Sequence, residues 1–379
     1  MVKKAAAMFS ICASIAICLG CTTTSNHILY AALPQSAQIV AYREDPNSGV
    51  LTQLTISPIT AGPAVQSLAV HPSGKYLYAA NAGENDVSLF AIGTGGSLVE
   101  QGTRTQVGTS PTLLAIDSAG QYLYVANSGS ENISVLSISS SSGTLTPVGQ
   151  PFQVGISPLN MKISPSGNFL YVTGASSQVG VPGYIEVLSI TSGTLAIVPP
   201  IVQPGSNPYG LAITPDGNYL YTANFGDNTI SEFTINNSGS ATSSGVPPGG
   251  LAPIAGSPIG ETYTGPVSLL VNTAQQYLYV ANQQSSGNVA GYAIGTGTSA
   301  GALSLLSSSP YPTGAQPSVI ATDVAGNYVF VGNQSKPAIE SFCLASKNLT
   351  CNSSTGIGSL TEVDTYPLGN APTSIVISP

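Results

Sequence analysis

The sequence predicts an all-β protein, a seven-bladed β-propeller of four-stranded antiparallel blades. The first observation is a repeated tract, in which a short apolar run and a turn are followed by Leu-Tyr-Val-Ala-Asn or a close variant. Its copies recur roughly every 50 residues, a period typical of propeller blades. The second observation is that no window of helical periodicity interrupts the strand-like segments. The copies are HILYAA at 27–32 (partial), HPSGKYLYAAN at 71–81, DSAGQYLYVAN at 117–127, SPSGNFLYVTG at 164–174, TPDGNYLYTAN at 214–224, NTAQQYLYVAN at 272–282 and DVAGNYVFVGN at 323–333.

One repeat supplies four strands. Residues 111–116 are a short apolar run, and 122–126 are rich in the aromatic and β-branched residues that suit a half-buried pleated surface. Residues 133–138 largely alternate, and 143–148 begin a fourth segment. Because a lone four-stranded sheet would leave two apolar faces in water, the blades are expected to stack around an axis.

The two ends of the chain are predicted to share one blade. Ile-Ser-Pro at 377–379, read on into Ser-Asn-His-Ile-Leu-Tyr at 25–30, matches the repeat at 163–171 with one residue fewer. We therefore expect the last residues to form the innermost strand of a blade whose other three strands come from about 28–57. This pairing would close the ring, leave no free sheet edge and make 28–379 a single domain.

The charge of the chain disfavours one class of partner. Only 6% of its 379 residues are charged, and 16 acids against 8 bases give a net charge of −8. Since a basic stripe is missing, no nucleic-acid partner is expected. Anionic ligands are disfavoured overall, although a single pocket can differ from the average.

Residues 1–20 are predicted to be a lipoprotein signal peptide. Lys3 and Lys4 precede an apolar run from Ala5 to Leu19, which is long enough for a signal sequence and short for a membrane span. The run ends in Leu-Gly-Cys at 19–21, which resembles the bacterial lipobox, although Cys18 stands where leucine is usual. The resemblance implies a lipidated Cys21 and a short lipidated tether at 21–27. The alternative is an ordinary cleaved signal, and either implies export.

The tether predicts an orientation. Residues 22–26 span at most about 17–18 Å, so the face that carries the turns between first and second strands is expected to lie toward the membrane. The opposite face, with the loops between second and third strands, is where a working surface is expected. The predicted location is the cell envelope, with the chain anchored to a membrane on its periplasmic or cell-surface side.

The cysteines fit this location. Cys12 and Cys18 would leave with the signal peptide, which leaves Cys343 and Cys351 unaccounted for. In an oxidising compartment these two are predicted to form a disulfide. The alternative, a metal site, lacks third and fourth ligands, so we expect no metal and no cofactor.

The repeat motif resembles that of a known family. Leu-Tyr-Val-Thr-Gly at 170–174 and Leu-Tyr-Val-Ala-Asn at 123–127 are close to the YVTN-type repeat, and a proline stands nine residues ahead of a glycine in several copies, as in 158–167. Over about 28–379 the chain thus resembles the seven-bladed lactonase family, which includes 6-phosphogluconolactonases. The resemblance implies a propeller fold, and lactone hydrolysis in the central channel.

The residues that perform that chemistry are not at their expected positions. Members that act on lactones carry a histidine two residues after the proline on an inner strand, with arginines and a glutamate around the channel. His27 and His71 instead fall near turns between first and second strands, and Arg43 and Arg104 fall on outer segments. The known lactonase chemistry is therefore predicted to be absent. The inner-strand positions hold Ser67, Leu113, Asn160, Gly210, Ser268, Val319 and Ser374.

The internal repeats separate structural residues from functional ones. Asparagines and tyrosines that recur in most copies are interpreted as turn and packing residues. Lys162 breaks its pattern, since the aligned positions hold Ala69, Ala115, Ala212, Leu270, Ala321 and Val376. It either points into the channel or extends to its mouth. Lys162 and Asn160 are therefore the candidate ligand-binding residues, and no catalytic residue is assigned.

Two outward features have weaker functional interpretations. Glu84, Asp86, Glu131 and Asp227 carry oxygen ligands of the kind calcium prefers, but they sit on different blades, and solvated acids are the favoured interpretation. Residues 236–257 are low in complexity and are predicted to form a mobile outer-edge loop.

Three functions remain open from the sequence. The leading hypothesis is a non-catalytic binding scaffold whose outward face binds a protein, a glycan or a small molecule. The alternative is a divergent 6-phosphogluconolactonase-like lactone hydrolase that uses Lys162, Asn160 and backbone amides, supported mainly by analogy of fold. The third is a structural envelope protein without a specific ligand.

Overall fold

The predicted propeller is confirmed. The computed structural model describes residues 27–176, 182–346, 349, 351 and 356–379. Seven antiparallel sheets form the blades, each with four main strands. From the innermost strand outward they are Ser374–Ile377, Ile28–Leu33, Gln38–Glu44 and Leu51–Gln53 in blade 1; Val65–Val70, Tyr76–Asn81, Asp86–Ile92 and Leu98–Glu100 in blade 2; Pro111–Ile116, Tyr122–Asn127, Asn132–Ile138 and Leu145–Pro147 in blade 3; Ile156–Ile163, Phe169–Ser176, Tyr184–Thr191 and Thr194–Ile197 in blade 4; Pro208–Ile213, Tyr219–Asn224, Thr229–Ile235 and Leu251–Pro253 in blade 5; Pro266–Val271, Tyr277–Asn282, Asn288–Ile294 and Leu303–Leu305 in blade 6; and Pro317–Thr322, Tyr328–Asn333, Ala338–Leu344 and Leu360–Pro367 in blade 7.

Short elements complete the blades. In five of them a two-residue strand pairs with the third strand beyond the fourth: Ile59–Thr60, Thr105–Gln106, Phe152–Gln153, Ile259–Gly260 and Tyr311–Pro312. The helical elements of the described residues are three 3-10 turns: Pro34–Ser36, Thr94–Gly96 and Gly297–Ser299. No helix in this part of the chain is long and apolar enough to cross a membrane.

The ring closes through the two ends of the chain, as predicted. The last strand pairs antiparallel with Ile28–Leu33, with Leu29 opposite Ile377 and Tyr30 opposite Val376. The backbone N–H of Ile28 also donates to Ser378 Oγ at 3.1 Å. Each inner strand contacts the next around the axis, and the strand Ser374–Ile377 fills the gap between blades 7 and 2.

The core lies between the blades. The second strand of every blade buries an aromatic ring completely, at the position of the tyrosine in the repeat: Tyr30, Tyr78, Tyr124, Tyr171, Tyr221, Tyr279 and Phe330. Each ring packs among alternating apolar residues of its own blade and the neighbouring one, for example with Val87, Leu123 and Leu136 around Tyr78. The recurring aromatics are thus the packing residues that stack one blade on the next.

The recurring asparagines are also structural. Asn81, which ends the second strand of blade 2, is completely buried and donates from Nδ2 to Asp86 Oδ1 at 2.7 Å and to Ser88 Oγ at 3.0 Å. A Cβ on Gly62, in the loop leading into the inner strand, would lie within 2.5 Å of the Asn81 amide, so the glycine allows this close approach. Asn127 and Asn224 make the equivalent pairs of bonds.

Cys343 and Cys351 are joined by a disulfide. It connects the third strand of blade 7 to the segment that follows, where the sequence predicted it. Residues 236–250 lie at the outer edge between the third and fourth strands of blade 5, while 251–253 of the predicted loop form the fourth strand itself. The predicted signal peptide and Cys21 lie outside the described residues, and those assignments stay predictions.

Candidate functional site in the central channel

The inner strands enclose a cavity of about 560 Å³ on the axis, lined by residues from all seven blades. It occupies the end of the channel where the chain enters the inner strands. This end carries the loops between second and third strands, where the sequence predicts a working surface. Its polar lining consists of hydroxyl and amide side chains, among them Gln66, Thr112, Ser128, Ser268, Gln283 and Gln334. The other end holds a smaller recess of about 350 Å³ lined by Val70, Ala321, Ile375 and other mainly apolar residues. The two ends of the channel therefore differ in chemistry.

Lys162 lines this cavity. This position fits the first of its two predicted placements, in which the side chain points into the channel. It is the single charged side chain among the described residues of the lining. Its side chain is exposed to water inside the channel, but the channel walls reduce the hydration of the amine, and this desolvation lowers its pKa. No salt bridge to Lys162 occurs in the described part of the chain. A lone ammonium in a polar cavity is suited to an anionic or strongly polar ligand.

Asn160 shares the cavity with Lys162. The inner strand of blade 4 has a bulge between Pro158 and Asn160, where the register with the second strand shifts. At this bulge Asn160 Oδ1 accepts a hydrogen bond from the backbone N–H of Met161 at 2.9 Å, which leaves the Nδ2 donors for a ligand. Because strand residues two apart point to the same side, both candidates face the axis.

The histidines lie outside the cavity. His71 is buried between two turns, with Nδ1 at 2.8 Å from Ser73 Oγ and Nε2 at 3.0 Å from the Gly120 carbonyl oxygen. His27 lies beside Glu44 at the start of the described chain, with 3.6 Å between Nδ1 and Oε2. Both lie at the end with the turns between first and second strands, as the sequence predicted.

One of the two arginines and three of the four acids in the loops after the second strands have other partners. Arg104 pairs with Glu84 and, through Nε at 2.7 Å, with Glu100. Asp86 accepts from Asn81, and Asp227 accepts from the backbone N–H of Ser206. Among the described residues no group of three histidine, cysteine or acidic side chains is arranged to hold a metal ion.

The sequence analysis missed several buried carboxylates, one of which lies in the same blade as Lys162. Glu186, on the third strand of blade 4, is only 6% exposed, and its Oε2 has no hydrogen-bond partner within the described chain. Burial raises its pKa to about 7. The sequence signal is a double change in the repeat, because Gly174 replaces the usual asparagine and Glu186 replaces a serine of other blades. It is not part of the cavity lining.

The sequence analysis also missed the mouth of the cavity. On the inner strand of blade 5 the register with the second strand jumps from Pro208 to Leu211, so Tyr209 leaves the ladder. Tyr209 lines the cavity, is 38% exposed and contacts Phe225 with ring centroids 6.2 Å apart. Across the mouth, Gln283 Nε2 donates to Gln334 Oε1 at 2.9 Å. The signal was the residue after the second-strand asparagine, which is Ala82 or Ser128 in two blades but Phe225, Gln283 and Gln334 in three others.

These features define a class: a closed seven-bladed propeller with a polar axial cavity of the size that binds small molecules. The family model of the seven-bladed β-propeller lactonases matches residues 22–157, 154–246 and 258–359. The chain belongs to this family.

Solved structures agree on the fold. The chain is similar to a periplasmic gluconolactonase of Pseudomonas aeruginosa, with a TM-score of 0.73 and 18% identity over 94% of this chain and 99% of that one. It is also similar to a candidate 6-phosphogluconolactonase of Bacteroides fragilis, with a TM-score of 0.75 and 20% identity over 94% and 99% of the two chains. A candidate 6-phosphogluconolactonase of Bacteroides uniformis gives 0.75 and 18% over 93% and 99%. A search of curated proteins found no significant match.

Proposed function

We propose that this protein binds a small polyhydroxylated acid, or the lactone of such an acid, in the central cavity, as a non-catalytic binding protein. The observation that carries the proposal is Lys162, the lone charged side chain of a lining whose other polar side chains are amides and hydroxyls. An ammonium pairs with a carboxylate or polarises a lactone carbonyl, and amides and hydroxyls match sugar hydroxyls. Membership of the lactonase family supports the same ligand class.

Lactone hydrolysis is the second candidate, and one observation favours it. Because the pKa of Lys162 is lowered, a larger fraction of its amine is neutral near physiological pH, and a neutral amine can act as a general base. Water would attack the lactone carbonyl carbon as Lys162 removes its proton. The ring C–O bond would then break, and the proton would pass to the departing oxygen, which yields the hydroxy acid.

A non-catalytic binding protein is preferred over a hydrolase because the channel offers no acid or base other than Lys162 among its described lining residues. No imidazole or carboxylate is found among the described lining residues. Asn160 lies two residues before Lys162 on the same strand, and its Nδ2 group could donate to a developing oxyanion. Hydrolysis would therefore rest on one amine as the base, with Asn160 and the other amides and hydroxyls of the lining as donors to the oxyanion.

We also propose that the protein is exported and held at a membrane through a lipid on Cys21. The described chain begins beside its own C-terminus, since the backbone N–H of Ser378 donates to the Ile28 carbonyl at 2.9 Å. Pro379 in turn lies against the turn at Gly74, between the first and second strands of blade 2. A tether at this end would direct the polar cavity away from the membrane.

Isothermal titration on a soluble protein that starts at Thr22 tests the proposal. Gluconate, 6-phosphogluconate and glucono-δ-lactone are titrated, and release of acid from the lactone is followed in parallel. We expect binding of at least one of them, abolished by Lys162→Met and retained by Lys75→Met, which removes an exposed lysine far from the cavity.

The outcomes separate the two candidates. Binding without turnover supports a binding protein, whereas turnover that Lys162→Met abolishes supports the hydrolase. Binding that survives Lys162→Met would show that the cavity residue is not the anchor. No binding by a cooperatively melting sample would refute the proposal.

A further inference from the structure

We infer that the mouth of the cavity is a second subsite, which stacks a neutral sugar ring on Tyr209 and binds its hydroxyls through Gln283 and Gln334. The inference rests on the proposed function and narrows its ligand to a neutral pyranose linked to a sugar acid or lactone.

Tyr209 is placed for stacking by its backbone. It occupies a bulge position, because the inner strand of blade 5, like those of blades 2, 3, 4, 6 and 7, carries one extra residue here relative to the second strand. In blade 5 Gly210 and Ala223 also fall outside the paired register. The displaced backbone is held by Thr173 Oγ1, which donates to the Tyr209 carbonyl at 3.0 Å. Gly210 cannot be larger, because a Cβ there would lie 2.6 Å from the Val267 carbonyl oxygen. Tyr209 therefore lies at the rim of the cavity on a backbone that these two contacts fix.

Phe225 supports the ring from the side. The two rings are inclined at 47° with centroids 6.2 Å apart, while Tyr209 keeps 38% of its surface exposed. Exposing aromatic surface to water costs free energy, and this free energy is regained when an apolar face of a ligand covers the ring. The C–H face of a pyranose offers such a face together with a polar edge.

Gln283 and Gln334 provide hydrogen-bonding partners for the polar edge of the sugar ring. Their mutual hydrogen bond orients both amides and leaves Gln283 Oε1 as an acceptor and Gln334 Nε2 as a donor. Both side chains line the cavity. A Cβ on Gly265 would lie 3.3 Å from both the Phe225 ring and the backbone carbonyl oxygen of Gln283, so Phe225 and Gln283 are close neighbours. An acceptor beside a donor matches neighbouring hydroxyls of a sugar.

The depth of Lys162 sets the length of the ligand. Thr173, which holds Tyr209, pairs with Asn160, and Lys162 lies two residues further along that strand. Two residues of a strand span roughly 7 Å. A ligand of two linked units can therefore place one ring at the mouth and its acid group at Lys162. The cavity of about 560 Å³ has the size of sites for such ligands.

Titrations with matched acids test the subsite. Lactobionate, cellobionate and maltobionate each carry a neutral pyranose on gluconate and differ in the identity or linkage of that ring. At least one should bind roughly tenfold more tightly than gluconate. Tyr209→Ala should remove this gain, so that the disaccharide acid binds no more tightly than gluconate, while Tyr209→Phe should preserve it. Gln334→Ala should reduce the gain in part.

The result can fail in distinguishable ways. If gluconate binds and no disaccharide acid binds more tightly, the subsite is wrong and the proposed function stands. A gain that survives Tyr209→Ala, or a Tyr209→Ala protein that loses both ligands equally, also overturns the subsite. If no acid or lactone binds the folded wild type, both proposals are wrong.

Discussion

The hydroxyl of Tyr78 donates a hydrogen bond to the carbonyl oxygen of Gly143 at 2.7 Å, joining blade 2 to blade 3. Gly143 has a φ of +72°, and its tight turn presents the carbonyl to the buried hydroxyl. The same bond links four other pairs: Tyr30 with Gly96, Tyr171 with Gly249, Tyr221 with Gly301, and Tyr279 with Gly358. In blade 7, where Phe330 lacks a hydroxyl, Ser341 Oγ donates to Gly49 instead at 2.7 Å. Neighbouring blades are therefore fastened by hydrogen bonds as well as by packing.

Tyr78→Phe is expected to destabilise the fold by about 1–2 kcal/mol, because the buried Gly143 carbonyl loses its donor. Tyr124→Phe is the matched control, since the Tyr124 hydroxyl is equally buried and has no partner in the described chain. It should be neutral or slightly stabilising. Urea unfolding of the two variants beside the wild type measures the difference. Equal losses for both would show that the hydroxyl bond contributes nothing.

Deleting residues 371–379 should abolish cooperative unfolding. The deletion removes the inner strand of blade 1 and leaves Ile28–Leu33, all buried, with an open edge. Differential scanning calorimetry of the truncated protein should lack the native transition. Removing Pro379 alone, which lies beyond the paired residues, is the control and should melt like the wild type. A truncated protein with an unchanged melting temperature would refute the closure of the ring by this strand.

The buried carboxyl of Glu44 should make stability depend on pH. It is 1% exposed, and burial, followed by the charges of Asp323 and Asp45, raises its pKa to about 8. Neither of its oxygens accepts a hydrogen bond in the described chain, and the His27 imidazole lies 3.6 Å away. Because the folded pKa exceeds the unfolded value, the protonated form favours folding. That contribution is complete below pH 4.5 and is lost as pH rises through about 8.

Glu44→Gln removes this dependence and is the test. The melting temperature of the wild type minus that of the variant should fall steadily between pH 5 and pH 9. Glu362→Gln, at an exposed position, controls for a general effect of charge. A difference that stays flat over this range would contradict the raised pKa.

Binding of an anionic ligand should weaken at alkaline pH before a free lysine would lose its proton. The lowered pKa of Lys162 means that its charge disappears as pH rises through a value below 10.5. Titrations of the bound acid from pH 7 upward should show that the affinity falls before the pH reaches 10.5. Lys162→Arg keeps its charge and should show a flat profile, whatever its absolute affinity. A wild-type profile as flat as that of the arginine variant would contradict the prediction.

Much of the fold was predictable because every blade repeats the same sequence pattern. Each blade buries both faces against equivalent neighbours, so the same apolar alternation and the same tyrosine and asparagine recur where the same contacts recur. The closing strand was predictable too, since the two ends of the chain complete one copy of the repeat. The positions of Lys162 and Asn160 in the channel followed from that register.

The mouth of the site was harder to predict. Tyr209 reads as an ordinary strand residue, and its exposure depends on a backbone irregularity, on the Thr173 hydrogen bond and on the close approach of Gly210 to blade 6. Glu186 likewise owes its raised pKa to burial in the folded chain. Both depend on contacts between segments whose partners no local pattern reveals.

The sequence by itself determined the number of blades, the order of strands within them and the closure of the ring, because these follow from the phase of a repeated pattern of burial. The tertiary structure decided which side chains share the axial cavity and which lose contact with water. Seven inner strands must converge on one axis before Lys162, Tyr209 and Gln334 belong to a single cavity, and only that convergence surrounds the lysine with protein and lowers its pKa.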